Sequence, residues 1–236
     1  MTNSVTYEWL GRQPYQKVWD YQKTLLKKRV RNEISDHVIF VEHPPTYTLG
    51  KAGDKSHLLA NDRELRSLEA EYIPIDRGGD ITFHGPGQLV GYPILHLENY
   101  KKDVHWYLRQ LEETLIRTLA AFDITGTRNE EFTGVWVGDE KAAAIGVKVS
   151  RWVTMHGFAL NVTTDLSYFG RIIPCGIFHK GVCSLESLLQ VAPDMETVRT
   201  VYRAQFEEVF QRRFYLTKPA GFPEYFNQDM KNEVML

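Results

Sequence analysis

Cysteine is scarce in this chain, with two residues among 236. Two thiols cannot build a disulfide framework, so the fold must rest on its core and the thiols are free for chemistry. An excess of either charge is also missing: 28 Lys and Arg stand against 30 Asp and Glu, for a formal net charge of −2. That balance excludes the overall basic field that draws in nucleic acid. No run approaches the roughly 18 apolar residues that a membrane-spanning helix needs. The opening MTNSVTYEWLGRQPY carries neither a signal-peptide nor an Arg-rich transit pattern, and the expectation is a soluble, cytoplasmic protein. Repeats, low-complexity tracts and flexible linkers are lacking too, so one domain over residues 1–236 is expected, with a peripheral tail from about 218. No GxxxxGK[ST] phosphate loop occurs, and no GxGxxG opens a helix, which argues against nucleotide-phosphate binding. What is present is 43% hydrophobic and 12% aromatic residues, enough for a core and too much for global disorder.

Periodicity assigns the main elements. The spacing predicts a helix from Pro14 to about Ile34, with Val18, Tyr21, Leu25, Leu26 and Val30 on one face. His37–Glu42 reads as a buried strand ended by His43-Pro44-Pro45, where His43 reads as a turn residue. Residues 61–71 are helical in composition, and residues 72–76 read as a strand. A second helix starts near Asp103 and aligns Tyr107, Leu108, Leu111, Leu115, Leu119 and Phe122. Residues 133–137, 141–149 and 154–162 read as strands, the first two joined by a turn at Gly138-Asp139. Asp194 caps a last helix carrying Val198, Val201, Tyr202, Val209 and Phe210. Helices mixed with clustered strands, without a strict βαβ repeat, predict an α+β fold with a mixed β-sheet packed by helices.

Three segments have the composition of a chemical site. The first is Arg77-Gly-Gly-Asp-Ile-Thr-Phe-His84-Gly-Pro-Gly87-Gln88. Its glycines allow backbone N–H groups to approach a ligand, Arg77 suits an anion, and His84 can donate a hydrogen bond or hold a proton. A bulged hairpin whose glycines serve only positive φ is the alternative. The second pairs Lys141, at the start of the light strand Ala142-Ala-Ala-Ile-Gly146, with the also light downstream strand Met155-His-Gly-Phe-Ala-Leu-Asn161. Two such strands suit a floor for something long and apolar, or close packing of sheet against helix. The third holds Cys175 between Pro174 and Gly176, at a turn whose N–H groups suit a thiolate and an oxyanion. Cys183, before Ser-Leu-Glu-Ser, fits a helix start or a small core position. Neither cysteine has metal-ligand spacing with His156 or His179. Lys23, Lys27, Lys28, Arg29 and Arg31 form a basic face, either solvated or a dock for an acidic protein.

Together these segments resemble the lipoyl(octanoyl) transferase family across roughly residues 35–190. The stretches that carry the resemblance are HPPTYTLG (43–50), RGGDITFHGPGQLVGYPI (77–94), GVWVGDEKAAAIGVKVSRWVTMHGFALNV (134–162) and PCGI with the later SL (174–185). The resemblance implies the fold shared by biotin and lipoate protein ligases. It implies transfer of an octanoyl group from acyl carrier protein to a lysine of lipoyl domains, namely those of 2-oxoacid dehydrogenase subunits and the glycine cleavage H protein. Neither cofactor nor metal is implied. The family's nucleophile falls on Cys175 and its essential lysine on Lys141. Its substrate-binding stretches fall on Arg77, Gly78, Gly79, Asp80, Ile81, Thr82, Phe83 and His84, on Ala144, Ile145 and Gly146, and on Gly157, Phe158 and Ala159. Cys183 departs from the Thr or Ser expected there and places a second thiol near the first. Two other readings share these features: an ATP-dependent lipoate or biotin ligase, which does not require Cys175, and a non-catalytic acyl-binding module.

Overall fold

The structure, a computed structural model, describes residues 4–173 and 181–216. The first half of the chain runs β1 (Ser4–Arg12), α1 (Tyr15–Val30), β2 (Asp36–Glu42), β3 (Thr46–Leu49), α2 (Asp62–Ser67), β4 (Glu71–Pro74), β5 (Ile81–His84) and β6 (Gln88–Ile94). The second half runs α3 (Val104–Ala120), β7 (Thr127–Arg128), β8 (Gly134–Val137), β9 (Glu140–Ser150), β10 (Val153–Asn161), β11 (Gly181–Val182), α4 (Leu185–Leu189), α5 (Met195–Phe210) and β12 (Arg213–Leu216). Among the described residues, nine strands form one mixed sheet in the order β12–β1–β2–β6–β10–β9–β8–β7, with β11 added to β9. β1 pairs parallel with both β12 and β2, and the path from β2 to β7 is antiparallel. A separate sheet orders β4–β3–β5.

Two-residue alternation along the central strands sorts their side chains onto two faces. Val38, Phe40, Leu89, Phe158 and Leu160 join one core with Tyr107, Leu111, Leu115 and Leu119 of α3 and Val198, Tyr202, Phe206 and Phe210 of α5. Ile39, Val41, Val90, Tyr92, Met155 and Ala159 join the other with Tyr15, Val18, Tyr21 and Leu25 of α1. The sheet is therefore clamped between α1 and the α3–α5 pair. Each large side chain buried this way stabilises the fold by about 1.5–3 kcal/mol. Val201 and Val209, expected inward, are only partly buried, and Phe206 takes the central position on α5.

The helix ends have local causes. Asp103 and Asp194 cap α3 and α5 by accepting from Trp106 N–H at 3.0 Å and Thr197 N–H at 2.9 Å. The first helix stops short of Ile34 because Asn32 turns left-handed, with φ +57°. The helix expected over 61–71 ends at Ser67: Glu69 adopts φ +50°, and Glu71 pairs with Thr46 in the small sheet. The basic face of α1 is broken up. Arg29 is buried and donates to Asp36 at 2.7 Å, while Lys23 bonds Asp20 and lies over the Trp19 ring.

Candidate active site

A cavity of about 510 Å³, within the usual range for small-molecule sites, opens where the Gly-rich segment meets β9 and β10. One wall is Tyr15 and Tyr92 on the α1 side, and the opposite wall is Val104 and Leu108 of α3. Between them the cavity follows β9 beyond Ala144, where β8 no longer pairs with it. Residues 77–82, His84, 144–146 and 157–159 all border this space. Phe83 does not. It is buried in the small core and stacked on Tyr168 at 4.5 Å, because alternation along β5 turns it away from the side that Thr82 and His84 face.

The Gly-rich segment is held by its own polar groups. Gly78 N–H donates to Val147 O at 2.9 Å, docking the segment on β9. Arg77, expected to meet an anion, is buried, and its guanidinium donates to Thr48 O at 2.9 Å, Thr48 Oγ1 at 3.0 Å and Gly78 O at 3.0 Å. Its aliphatic stem fills the place a side chain at Gly146 would need: a Cβ there would sit 2.8 Å from Arg77 Cδ. Gly157 is small for the same kind of reason. A Cβ there would come within 2.2 Å of Gly91 O, so its smallness serves the approach of β10 to β6 and not room for a ligand.

His84 is buried, with Nδ1 2.9 Å from Gln88 Oε1 and Nε2 3.4 Å from Thr48 Oγ1. Burial, helped by the nearby His43 and Arg77, holds its pKa well below the ordinary histidine value. Gln88 Nε2 donates to Phe83 O at 3.1 Å and to Asn161 Oδ1 at 2.9 Å, and Asn161 Nδ2 donates to Cys183 O at 3.0 Å. Thr48, Gln88 and Asn161 were not singled out by sequence. Gln88 closes the Gly-rich motif, but nothing local ties it to a residue 73 positions away.

His43, expected as a turn residue, lies in the connection between β2 and β3. It is wholly buried under the cavity, where Nδ1–H donates to Gln13 O at 2.7 Å and Nε2 accepts from Tyr92 Oη at 2.8 Å. Burial lowers its pKa to about 4. Tyr15 shares a hydrogen bond with Tyr92, and burial raises both phenols, so both remain protonated donors. Beside them His156 adopts φ +60° within β10, a conformation costly for a residue with a Cβ. Its N–H leaves the ladder for Gln22 Oε1 at 2.9 Å, and its Nε2 meets Asp76 Oδ1 at 2.8 Å. The same aspartate binds Lys148, and the two partners hold its pKa below the carboxylate range.

Lys141 lies at the mouth. Its Nζ is 4.7 Å from the centre of the Trp136 ring, a cation–π contact. Gly134 across β8 has φ +139°, and a Cβ there would lie 3.5 Å from Lys141 Cε and 2.6 Å from Ala143 O. Glycine at this position thus serves the close approach of β8 to the Ala143 carbonyl of β9, while the lysine stem lies at ordinary contact distance. β11 runs parallel beside the start of β9, with Val182 opposite Lys141 and Cys183 N–H donating to Lys141 O at 3.1 Å. Cys175 lies outside the described residues. Cys183 is buried, and burial together with Glu140 pushes its thiol up to about 12; it is a core residue ahead of the Ser184 cap of α4.

Among solved structures, lipoate-protein ligase A bound with ATP superposes with a TM-score of 0.72 at 12% identity, covering 99% of this chain and 95% of that one. The biotin protein ligase of Aquifex aeolicus in complex with biotin and ATP reaches 0.55 at 13% identity, over 87% and 70%. These likenesses establish the fold, as expected from the sequence. The lipoyl protein ligase A/B catalytic domain profile matches residues 14–207. An octanoyltransferase of Flavobacterium psychrophilum is 47% identical over 227 residues, 89% of this chain and 98% of the relative. One from Rubrobacter xylanophilus is 55% identical over 75% of this chain and 80% of the relative, and a chloroplastic octanoyltransferase of Arabidopsis thaliana is 43% identical over 84% and 75%. Identity at that level and coverage places this chain in the lipoyl protein ligase A/B catalytic family, and within it among the octanoyltransferases.

Proposed function

We propose that this chain is a cytoplasmic, single-domain acyltransferase that moves an octanoyl group from acyl carrier protein to the target lysine of lipoyl domains through a thioester on Cys175. The observation that carries the reading is the pairing of β11 with the Lys141 strand beside an apolar cavity. In sequence Cys175 falls between Ile173 and Gly181. Gly181 borders the cavity, and Ile173 N–H is bonded to His57, whose ring binds the cavity residue Asp80. The described residues on either side of that stretch, Ile173 and Gly181, are thereby tied to the border of the cavity that Lys141 also lines, which supports the reading.

The chemistry follows from those parts. A free thiol at its ordinary pKa of about 8.5 is only about 3% thiolate at pH 7. A nearby ammonium lowers that pKa, and Lys141 serves this role. The Cys175 thiolate attacks the carrier thioester carbonyl, the carrier thiolate leaves with the proton of Lys141, and the octanoyl group rests on Cys175. Lys141, now neutral, takes the proton from the incoming lysine amine as that amine attacks the Cys175 thioester, giving the amide and free Cys175. Exchange between thioesters is nearly isoenergetic and amide formation is downhill, so the transfer needs no ATP. Residues 77–82, His84, 144–146 and 157–159 enclose the acyl chain, for which each buried CH₂ contributes about 0.8 kcal/mol.

Acceptors in the 2-oxoacid dehydrogenases and the glycine cleavage H protein are read on the same basis. The archaeal lipoate protein ligase from Thermoplasma acidophilum, which shares this fold at 14% identity, is itself described with its E2 lipoyl domain. The test is to mix the protein with octanoyl-carrier and an apo lipoyl domain without ATP, and to look for an acylated lysine by intact mass. Acylation only when ATP and free octanoate are supplied would replace this reading with a ligase.

A further inference from the structure

Six groups from separate parts of the chain form one line beside the cavity: Arg77, Thr48, His84, Gln88, Asn161 and the Cys183 carbonyl. The donor and acceptor capacities of these groups fix the direction from Cys183 O to His84 Nδ1, and burial beside the Arg77 guanidinium disfavours a second proton at His84 Nε2. Cys183 O can only accept, so Asn161 presents its NH₂ to it and its Oδ1 to Gln88. Gln88 therefore presents its NH₂ to Asn161 Oδ1 and Phe83 O, and its Oε1 to His84. His84 must then carry its proton on Nδ1. At the far end the Arg77 guanidinium can only donate, so Thr48 Oγ1 accepts from it, and with Nε2 bare the Thr48 hydroxyl is the donor to His84 Nε2. Every side chain in the line is buried, and each bond polarises the next away from the guanidinium.

We propose that Gln88 and Asn161 are positioning residues of the acyl-transfer site: they carry a one-way chain of hydrogen bonds that fixes His84 as the neutral Nδ1–H tautomer and anchors the strand following Cys175. The anchoring limb rests on the function proposed above; the tautomer does not. The anchor is direct. Asn161 holds the carbonyl of Cys183, and the N–H of that same residue is bonded to Lys141 O. One peptide strand is gripped from β10 on one side and from the lysine strand on the other, at the end of the segment that holds Cys175. Because both ring nitrogens of His84 are engaged, its own contribution is to transmit position and not to remove a proton from substrate.

Two measurements test this. In protein with ¹⁵N-labelled histidine, long-range ring correlations assigned by loss in His84→Gln are expected to show a protonated Nδ1 and a bare Nε2, unchanged from about pH 8 to 6. An Nε2–H tautomer, or an imidazolium across that range, overturns the chain whatever the protein catalyses. In the second, octanoyl-carrier is mixed with excess enzyme and Cys175 acylation is timed for wild type, Asn161→Leu and Asn161→Asp. Asn161→Leu loses the donor to Cys183 O outright and Asn161→Asp loses it at a pH where its carboxyl is ionised, so the assay is run up to about pH 8.5; a reacting group displaced by about 1 Å costs on the order of 100-fold. The expected result is acylation slowed at least tenfold, with the carrier concentration at half-maximal rate changed less than twofold. Asn161→Asp keeps the acceptor for Gln88, so it should fold even if Asn161→Leu does not. Wild-type acylation rates in a folded Asn161→Asp protein overturn the anchoring role. A wild-type enzyme with the stated tautomer but no transfer refutes the proposed function and leaves the chain standing.

Discussion

Under the proposed function Lys141 has two tasks that an arginine can share only in part. Arginine keeps the charge that favours a thiolate, but its pKa is too high for it to give up a proton and act next as a base. Lys141→Arg is therefore expected to retain some Cys175 acylation and to fail in transfer to the acceptor, whereas Lys141→Ala loses both. A positioned acid–base group contributes about 10²–10⁴ in rate, and single-turnover assays of each half-reaction read the split. Near-normal transfer by both variants would remove Lys141 from the mechanism. His43 sets a different expectation, on stability. Its folded pKa of about 4 lies below the ordinary 6.5, so on acidification the unfolded chain takes up the proton first. The stability is thus complete above about pH 6.5 and is lost as pH falls toward 4, by on the order of 3 kcal/mol in total. His84 and His156 are depressed in the same direction and steepen the slope. His43→Gln can still donate to Gln13 O and accept from Tyr92 without titrating. Urea unfolding at a series of pH values should show its slope reduced by close to one proton, and an unchanged slope would mean that His43 protonates equally in both states.

At the scale of strands, Gly157 separates two explanations of a light sheet. If its smallness makes room for an acyl chain, Gly157→Ala changes chain-length preference and leaves the empty protein as stable as before. The geometry says otherwise, because a Cβ there meets Gly91 O at 2.2 Å and Pro93 Cδ at 2.7 Å, both on β6. Overpacking of this kind costs about 1–3 kcal/mol, so melting of the ligand-free variant should fall by several degrees; an unchanged melting temperature would restore the first explanation. The elements that were legible in the sequence are those whose pattern is local. Helices α1, α3 and α5 show three- and four-residue apolar steps, two of them open on an aspartate cap, and β8 to β10 are joined by short turns. β1 and β12 were not legible, since they pair in parallel across the whole length of the chain and the partly buried edge of β1 leaves no clean two-residue alternation. Phe83 lies off the cavity although cavity residues flank it in sequence, because alternation along β5 turns it away from the side that Thr82 and His84 face. The Gln88–Asn161 contact joins β6 to β10 through side chains whose types are common at surfaces, and only the antiparallel register that sets Asn161 opposite Gln88 brings them together.

At the scale of the whole molecule the two thiols must be told apart, because the proposed transfer between two macromolecules depends on one of them holding the acyl group while partners exchange. Burial keeps Cys183 near a pKa of 12, so fewer than about one molecule in 10,000 carries its thiolate at pH 7.5. The residue is also enclosed, 1% exposed, with its sulfur beside Glu140 O. In sequence Cys175 lies between Pro174 and Gly176 and precedes β11, which pairs with the Lys141 strand; under the proposed function the Lys141 ammonium favours its ionised form. A small alkylating reagent at pH 7.5 is therefore expected to modify Cys175 within minutes and to reach Cys183 only when the protein is unfolded. The acyl group should follow the same preference. With octanoyl-carrier and no acceptor, water competes poorly in an apolar site, and the reaction should stop at one octanoyl group per chain. Peptide mass spectrometry should find that group on the Cys175 peptide, removable by hydroxylamine as a thioester is. Alkylation of Cys175 beforehand should block loading completely, while Cys183→Ser should load as wild type does. Octanoyl on Cys183, or transfer that persists in Cys175→Ala, would mean that the acyl group passes to the acceptor without the intermediate on which the proposed mechanism depends.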